Sequence, residues 1–190
     1  VYPTPRRAGH NRAVSGAGED YRFCPRCAGT LERRVLKERE PARLVCAQCA
    51  FVFYLDPKVA ACTITSWDGG IVLLRRAIEP SLGKWVFPGG FVDRGETVPA
   101  AAVRETLEEV NLRVSLTGIL DAYSYAASQV VVIVYAAEVV GGRPEAGDEC
   151  LEVRTFAPEE IPWDDLAFES TREALRDYVR RFFPRARLPR

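Results

Sequence analysis

From Pro88 the chain passes through a glycine-rich turn, Pro88-Gly89-Gly90, into a segment carrying Glu105, Glu108 and Glu109. At about 100° per residue, a helix over Pro99–Val110 sets these three carboxylates within one arc of about 100°. Ala100, Val103, Leu107 and Val110 take the other side. The spacing therefore predicts carboxylates pointing one way and a buried apolar face behind them. Unaided, each like-charge pair at such spacing costs about 0.2–0.5 kcal/mol. A divalent cation removes that cost, and hard cations bind carboxylate oxygens. The alternative is a solvated acidic face. Against it, no Lys alternates with the acids, and the glycine turn lies immediately upstream.

A second constraint comes from cysteine. Cys24-Pro25-Arg26-Cys27 and Cys46-Ala47-Gln48-Cys49 are two C-x-x-C pairs with 18 residues between them. Each tight turn can aim two sulfurs at one point, and zinc takes four soft ligands in a tetrahedron. The spacing predicts a zinc ribbon with strands over Leu31–Leu36 and Arg43–Val45. Disulfides are the first alternative, and nothing in the sequence points to secretion. A redox C-x-x-C is the second, and no adjacent βαβ pattern supports it. Cys62 lies in an apolar strand and reads as core; Cys150 receives no role. The ribbon's role is open between structural zinc and a contact surface carrying Arg22, Arg26, Arg33, Arg34, Lys37 and Arg43.

Charge is divided along the chain. Residues 1–50 hold ten Lys/Arg against five Asp/Glu, residues 51–179 eleven against twenty-one, and residues 180–190 five Arg and no acid. Basic ends can meet nucleic acid or acidic partners, or form a solvated surface. The longest uncharged apolar run, Val130 to Ala137, is too short to span a bilayer, so no membrane helix is expected. No signal peptide is visible, and a cytoplasmic location is expected. The one histidine, His10, lies in a polar leader. That argues against Ser-His-Asp, Cys-His and His-based metalloprotease chemistry.

The organisation read from these patterns is a flexible leader over 1–20, the ribbon over 21–56, a larger domain over 57–183 and a basic tail over 184–190. In the larger domain, Val59–Trp67 and Ile71–Leu74 form a hairpin about Asp68-Gly69-Gly70. Leu112–Tyr125 holds one or two strands, Gln129–Val139 a buried strand and Val153–Phe156 a short one. Ser170-Thr171-Arg172-Glu173 reads as a capping box opening a final helix. Leu175, Tyr178, Val179 and Phe182 form its packing face. Helices between and after strands predict an α/β or α+β sandwich.

The stretch around the acidic helix resembles the Nudix box. Gly90, Glu96, Arg104, Glu105, Glu108, Glu109 and Leu112 match its spacing. Thr106 stands where an apolar residue is usual, and Asn111 where Gly is usual. Asn tolerates the left-handed conformation of a helix C-cap. Thr106 can bury its methyl and bond back to the backbone. A zinc ribbon followed by such a domain is similar to two groups: NADH pyrophosphatases that also remove NAD caps from RNA, and ADP-ribose and FAD pyrophosphatases. The first carries a Ser-Gln-Pro-Trp-Pro-Phe-type motif after the box, and nothing like it follows Leu112. Phe23-Cys24, Tyr54 to Lys58, Ser81 to Trp85 and Leu151 to Arg154 look like the second.

The resemblance implies a Nudix α/β/α sandwich around a mixed sheet. It implies hydrolysis of a nucleoside diphosphate linked to another moiety, such as ADP-ribose or FAD. The alternatives are NAD(H) or NAD-capped RNA hydrolysis, and a nucleotide-sensing DNA-binding regulator. Mg²⁺ or Mn²⁺ would be held by Glu105, Glu108 and Glu109 with the Gly89 carbonyl, and structural Zn²⁺ by Cys24, Cys27, Cys46 and Cys49. Arg104 would pair with Glu96 and hold the loop to the helix. Of Arg75 and Arg76, one would touch a phosphate. Phe91, Tyr123, Tyr125 and Trp85 are candidates to stack on a base. The partner implied is a nucleotide; a homodimer is left open, and nucleic acid is not expected.

The general base is the least constrained assignment. The box carboxylates are committed to metal, so the base is expected in the loop Gly142–Glu152, where Glu145, Asp148, Glu149 and Glu152 lie. Glu149 is favoured because it stands just before a strand, with Glu152 the alternate. The competing reading is that no side-chain base is needed.

Overall fold

A computed structural model describes residues 21–126 and 128–187. The leader, with His10, and the last three residues of the basic tail lie outside the described residues. The chain divides into two compact units, with the break between Asp56 and Pro57.

The first unit is a three-stranded antiparallel sheet in sequence order: β1 (Leu31–Arg34), β2 (Arg43–Cys46) and β3 (Val52–Phe53). Its apolar core is small, with Leu31 and Leu44 beside Cys24 and Cys46 and with Phe51 and Phe53 packed on them. Both cysteine pairs are built alike. Ala28 and Ala50, each just after the second cysteine, take positive φ (60° and 57°). Their amides return to the carbonyls of Cys24 and Cys46 at 2.9 and 3.1 Å. The turn therefore brings both sulfurs of a pair to one side.

The second unit carries a seven-stranded mixed sheet. Its strands are β4 (Lys58–Trp67), β5 (Gly70–Arg76), β6 (Trp85–Val86), β7 (Gly89–Phe91), β8 (Leu112–Ser124), β9 (Val130–Gly142) and β10 (Cys150–Phe156). The order is β10-β5-β4-β9-β8, with β6 beside β5 and β7 beside β4. Among the described strand pairs only β4 and β9 run parallel. The β4–β5 hairpin turns through Asp68 and Gly69 at positive φ (48° and 80°), as a two-residue turn of Asp-Gly type requires. The region 112–124 is one strand, with three register shifts against β9. Among the described residues no helix is long and apolar enough to cross a membrane.

Helix α1 (Val98–Val110) covers one face of the sheet, and α2 (Glu169–Phe182) covers the other. The α2 side buries Ile64, Leu73, Val134, Leu175, Tyr178 and Val179. The α1 side buries Val72, Leu74, Val110 and Leu112, with Ala61, Ala101 and Ala102 alongside. The α/β/α sandwich is therefore present. Thr97 caps α1 by accepting from the Ala100 amide at 3.3 Å. Asn111 ends it in the left-handed conformation (φ 55°), its amide returning to Leu107.

Two local expectations are corrected. The buried residues of α1 are Ala101, Ala102, Thr106 and Val110, while Leu107 is 44% exposed and Ala100 is exposed. Glu105 and Glu109 are thus turned toward the sheet, while Glu108 stays exposed. Small residues let the helix backbone approach β4, and close approach wins over the burial of one leucine. The expected capping box is also absent. The last helix begins at Glu169 after Phe168, with no side-chain cap bond, and Ser170 and Thr171 are buried within its first turn. Packing of this turn against the domain replaces the cap. Leu175, Tyr178 and Val179 form the buried face, and Phe182 is largely exposed.

Candidate active site and metal centre

Helix α1 and the β7 turn meet at the carboxylates. Glu109 accepts the Gly89 amide at 2.8 Å. A Cβ at Gly90 would stand 2.5 Å from the Glu105 carboxylate and would push that side chain aside. Cys62, opposite Gly89 on β4, leaves no room for a side chain at that position.

Arg104 organises the exposed side. Its Nε and Nη2 donate to the two oxygens of Glu96, each at 2.9 Å, a bidentate pair. Its Nη1 donates to Glu105 at 2.7 Å and to Glu108 at 3.0 Å, and Nη2 also reaches the Phe91 carbonyl at 3.3 Å. One guanidinium therefore bridges three carboxylates and the loop. The contacts to Glu105 and Glu108 carry no signal beyond spacing in the sequence.

The electrostatics differ by depth. The Arg104 guanidinium beside Glu96 holds that carboxyl below its usual range. Glu105 is pushed up, first by burial and also by Glu108 and Glu149. Glu109 is pushed up to about 7, chiefly by burial, although the Gly89 amide and the Arg76 charge oppose it and Glu105 and Glu149 add to it. Burial disfavours the charged form, and neighbouring carboxylates reinforce that.

The loop before β10 is fastened to the end of α1. The Gly147 amide donates to the Glu109 carbonyl at 2.9 Å, and the Glu145 amide to Val110 at 3.1 Å. Glu149, just before β10, is thereby close enough for its charge to act on Glu105 and Glu109. Glu152 lies within β10 and pairs with Arg154 at 3.7 Å.

Strand alternation separates the two arginines of β5. Arg76 acts on Glu109 electrostatically, bonds the Pro80 carbonyl at 2.9 Å and lies over the Phe168 ring. Arg75 turns to the Gly83 carbonyl at 2.7 Å. Tyr123 and Tyr125 do not join the carboxylates. They sit on the α2 side, where their hydroxyls donate to Asp177 at 2.9 Å and Glu173 at 2.8 Å. Trp85 is core, edge-on to Phe156. Phe91 is half exposed, with the Lys58 ammonium 4.9 Å from its ring centre. It borders a depression of about 400 Å³ with Pro57, Lys58, Val59, Val92 and Val98, which the sequence reading did not anticipate.

In the first unit, the sulfurs of Cys24, Cys27, Cys46 and Cys49 all lie within 4.8 Å of one another. The Cys24–Cys49 and Cys27–Cys46 separations are 3.8 and 3.5 Å. A disulfide needs about 2.05 Å. A tetrahedral ion with metal–sulfur bonds of about 2.3 Å needs sulfurs about 3.8 Å apart. The amides of Cys49 and Gln48 point at the Cys46 sulfur, both at 3.4 Å, and pull that thiol down to about 6. Cys27, whose sulfur lies 3.5 Å from that of Cys46, is pushed the other way, so the thiolate is favoured at Cys46 rather than at every sulfur.

Known proteins agree with this arrangement. The family model described as NUDIX domain matches residues 55–181, and the one described as Nudix N-terminal, a zinc ribbon, matches residues 22–55. The chain is 34% identical over 152 residues to an ADP-ribose pyrophosphatase of Methanocaldococcus jannaschii, covering 78% of this chain and 84% of that protein. It is 26% identical to a NAD-capped RNA hydrolase NudC of Vibrio atlanticus, covering 65% of this chain and 44% of that protein. A crystal structure of a NUDIX hydrolase from Nitrosomonas europaea superposes with a TM-score of 0.81 at 34% identity, covering 87% of this chain and 94% of that one. The domain match alone takes in well over half of the sequence, and the chain belongs to the Nudix hydrolase family.

Proposed function

We propose that the protein hydrolyses the pyrophosphate bond of a nucleoside diphosphate linked to another moiety, with ADP-ribose the first substrate to test and FAD the second, and that it needs Mg²⁺ or Mn²⁺. The observation that carries this is the turning of Glu105 and Glu109 toward the Gly89-Gly90 turn, with Glu108 beside them on Arg104. The donor set suits a hard divalent cation, since every candidate ligand is an oxygen. Burial pushes Glu109 up to about 7, a cost of ionisation that a cation at its carboxylate would relieve. Glu105, Glu108, Glu109 and the Gly89 carbonyl would hold the ion. Bound there, it would neutralise pyrophosphate charge and acidify a water.

The chain's own groups supply the rest. Arg104 keeps Glu96 and the β7 loop on the helix. Arg76, whose charge reaches Glu109, would offset phosphate charge there. Glu149 would accept the proton as water attacks phosphorus, because its charge already reaches Glu105 and Glu109. Water adds to one phosphorus, the bridging P–O bond breaks, and two monophosphates leave. Phe91, half exposed beside the loop that Arg104 holds, remains the stacking candidate. For the first unit we propose structural Zn²⁺ on Cys24, Cys27, Cys46 and Cys49. A cytoplasmic setting would keep such thiols reduced.

The similarity to an ADP-ribose pyrophosphatase favours that substrate. The weaker similarity to NAD-capped RNA hydrolases supports NAD(H) or capped RNA as a second reading. A side-by-side assay of ADP-ribose, FAD, NADH and NAD-capped RNA with Mg²⁺ and with Mn²⁺ decides between them. Faster turnover of NADH or capped RNA than of ADP-ribose would replace the first reading by the second.

A further inference from the structure

Thr63 and Thr106 are the two threonines where the helix and the central strand meet, and both are fully buried. Their hydroxyl oxygens are 2.7 Å apart. Thr106 also donates to the Ala102 carbonyl, one turn back, at 2.7 Å. A hydroxyl has one proton, so the direction is settled. Thr63 donates to Thr106, and Thr106 donates to Ala102.

Thr63 has a second attachment. Its backbone amide donates to the Pro88 carbonyl at 2.9 Å. The next residue, Gly89, donates to Glu109 at 2.8 Å. Glu109 lies one turn from Thr106 on the same helix. The bonds therefore close a ring: Thr63 to Pro88, Gly89 to Glu109, and Thr106 back to Thr63. Thr63 holds both limbs of the site at once, the glycine turn by its amide and the helix by its hydroxyl, beside the direct Gly89–Glu109 bond and the Arg104 bridge.

We infer that the Thr63–Thr106 hydroxyl pair is a positioning device that fixes α1 against the glycine turn, and so sets where the Glu109 carboxylate presents itself to a divalent cation. The surrounding layer is apolar, with Ala61, Ala101 and Ala102 beside Tyr135. Apolar contacts there are non-directional and let a helix slide or rotate slightly. A hydroxyl–hydroxyl bond has a narrow distance range and fixes both movements. The inference rests on the proposed metal-dependent hydrolysis for its kinetic consequences, but not for its metal-binding ones.

The test uses the full chain and four variants: Thr106→Val, Thr63→Val, the double Thr63→Val/Thr106→Val, and Thr106→Ser. Mn²⁺ binding is titrated by electron paramagnetic resonance without substrate. The turnover constant kcat and the KM for ADP-ribose are measured beside it. Misplacement of a site by about 1 Å can cost up to about a hundredfold, so a loss of at least tenfold in Mn²⁺ affinity is expected for Thr106→Val. The expected kcat falls by a similar factor, with KM within about twofold. Thr106→Ser keeps the hydroxyl and retains both. The double variant replaces both partners by apolar groups and recovers the melting temperature. Its Mn²⁺ affinity stays low.

A double variant with wild-type melting temperature, Mn²⁺ affinity and kcat would overturn the inference and leave the pair as packing. Loss of affinity in Thr106→Ser equal to that in Thr106→Val would also overturn it. If the wild type turned over no pyrophosphate substrate, the functional reading would fail, and the Mn²⁺ titration would still decide the role of the pair.

Discussion

Glu109 joins two demands that conflict in the absence of a cation. Its carboxylate is buried beside Glu105, and it must ionise to serve as a ligand. Burial raises it from 4.5 to about 7, above its value in the unfolded chain. The folded state therefore keeps a proton that the unfolded state loses. The resulting stabilisation is complete below pH about 4.5 and fades as pH rises through about 7. Metal-free wild type should lose melting temperature across this window, and Glu109→Gln should not share that part of the loss. Melting curves at several pH values without metal check this; parallel curves would contradict it. In activity, Glu108→Gln and Glu109→Gln should each lower kcat by about two orders of magnitude or more. Glu108→Gln should leave the metal-free melting temperature nearly unchanged, since its carboxylate is exposed and shares Arg104 with two others. Glu149 is tested by its pH–rate profile. Glu149→Gln at saturating Mg²⁺ should lower kcat and shift or remove the acidic limb. An unchanged profile would exclude it and turn attention to Glu152.

At the scale of elements, α1 and the β7 turn act as one piece because Arg104 spans them. Arg104→Gln leaves Glu96, Glu105 and Glu108 without their shared cation. Charged hydrogen bonds are worth about 1.5–3 kcal/mol, so a drop of several degrees in melting temperature is expected along with loss of kcat. Calorimetry of the metal-free variant checks it, and an unchanged melting temperature would show the bridges to be decorative. The position of α1 was legible in the sequence through its glutamate spacing, and its end through Asn111. Its rotation was not. Hydrophobic periodicity counts Leu107 and Ala100, whereas the approach to β4 selects Ala101, Ala102 and Thr106. The faces of Tyr123 and Tyr125 were hidden for a related reason. Three register shifts in β8 break the simple alternation that would assign them. The α2 cap misled because Ser170 and Thr171 satisfy a motif that packing overrides.

At the scale of the molecule, two units with different needs share one chain. Among the described residues the first unit buries only Cys24, Leu31, Leu44, Val45 and Cys46, a small core for which a bound ion would add folding energy. One zinc per chain is expected by elemental analysis of protein freed of adventitious metal. Its removal by a chelator should abolish the native spectrum of the first unit. A metal-free protein with two disulfides would contradict that. The second unit has cores on both faces of a mixed sheet, and the proposed hydrolytic chemistry would sit on its helix α1. The most direct test is the Mg²⁺ dependence of AMP release from ADP-ribose, followed for wild type and Glu109→Gln at equal folded concentration. The account predicts saturable Mg²⁺-dependent formation of AMP and ribose 5-phosphate by wild type, abolished by chelation and reduced by about a hundredfold or more in Glu109→Gln. Equal rates for the two proteins, or AMP release that persists without a divalent cation, would contradict it.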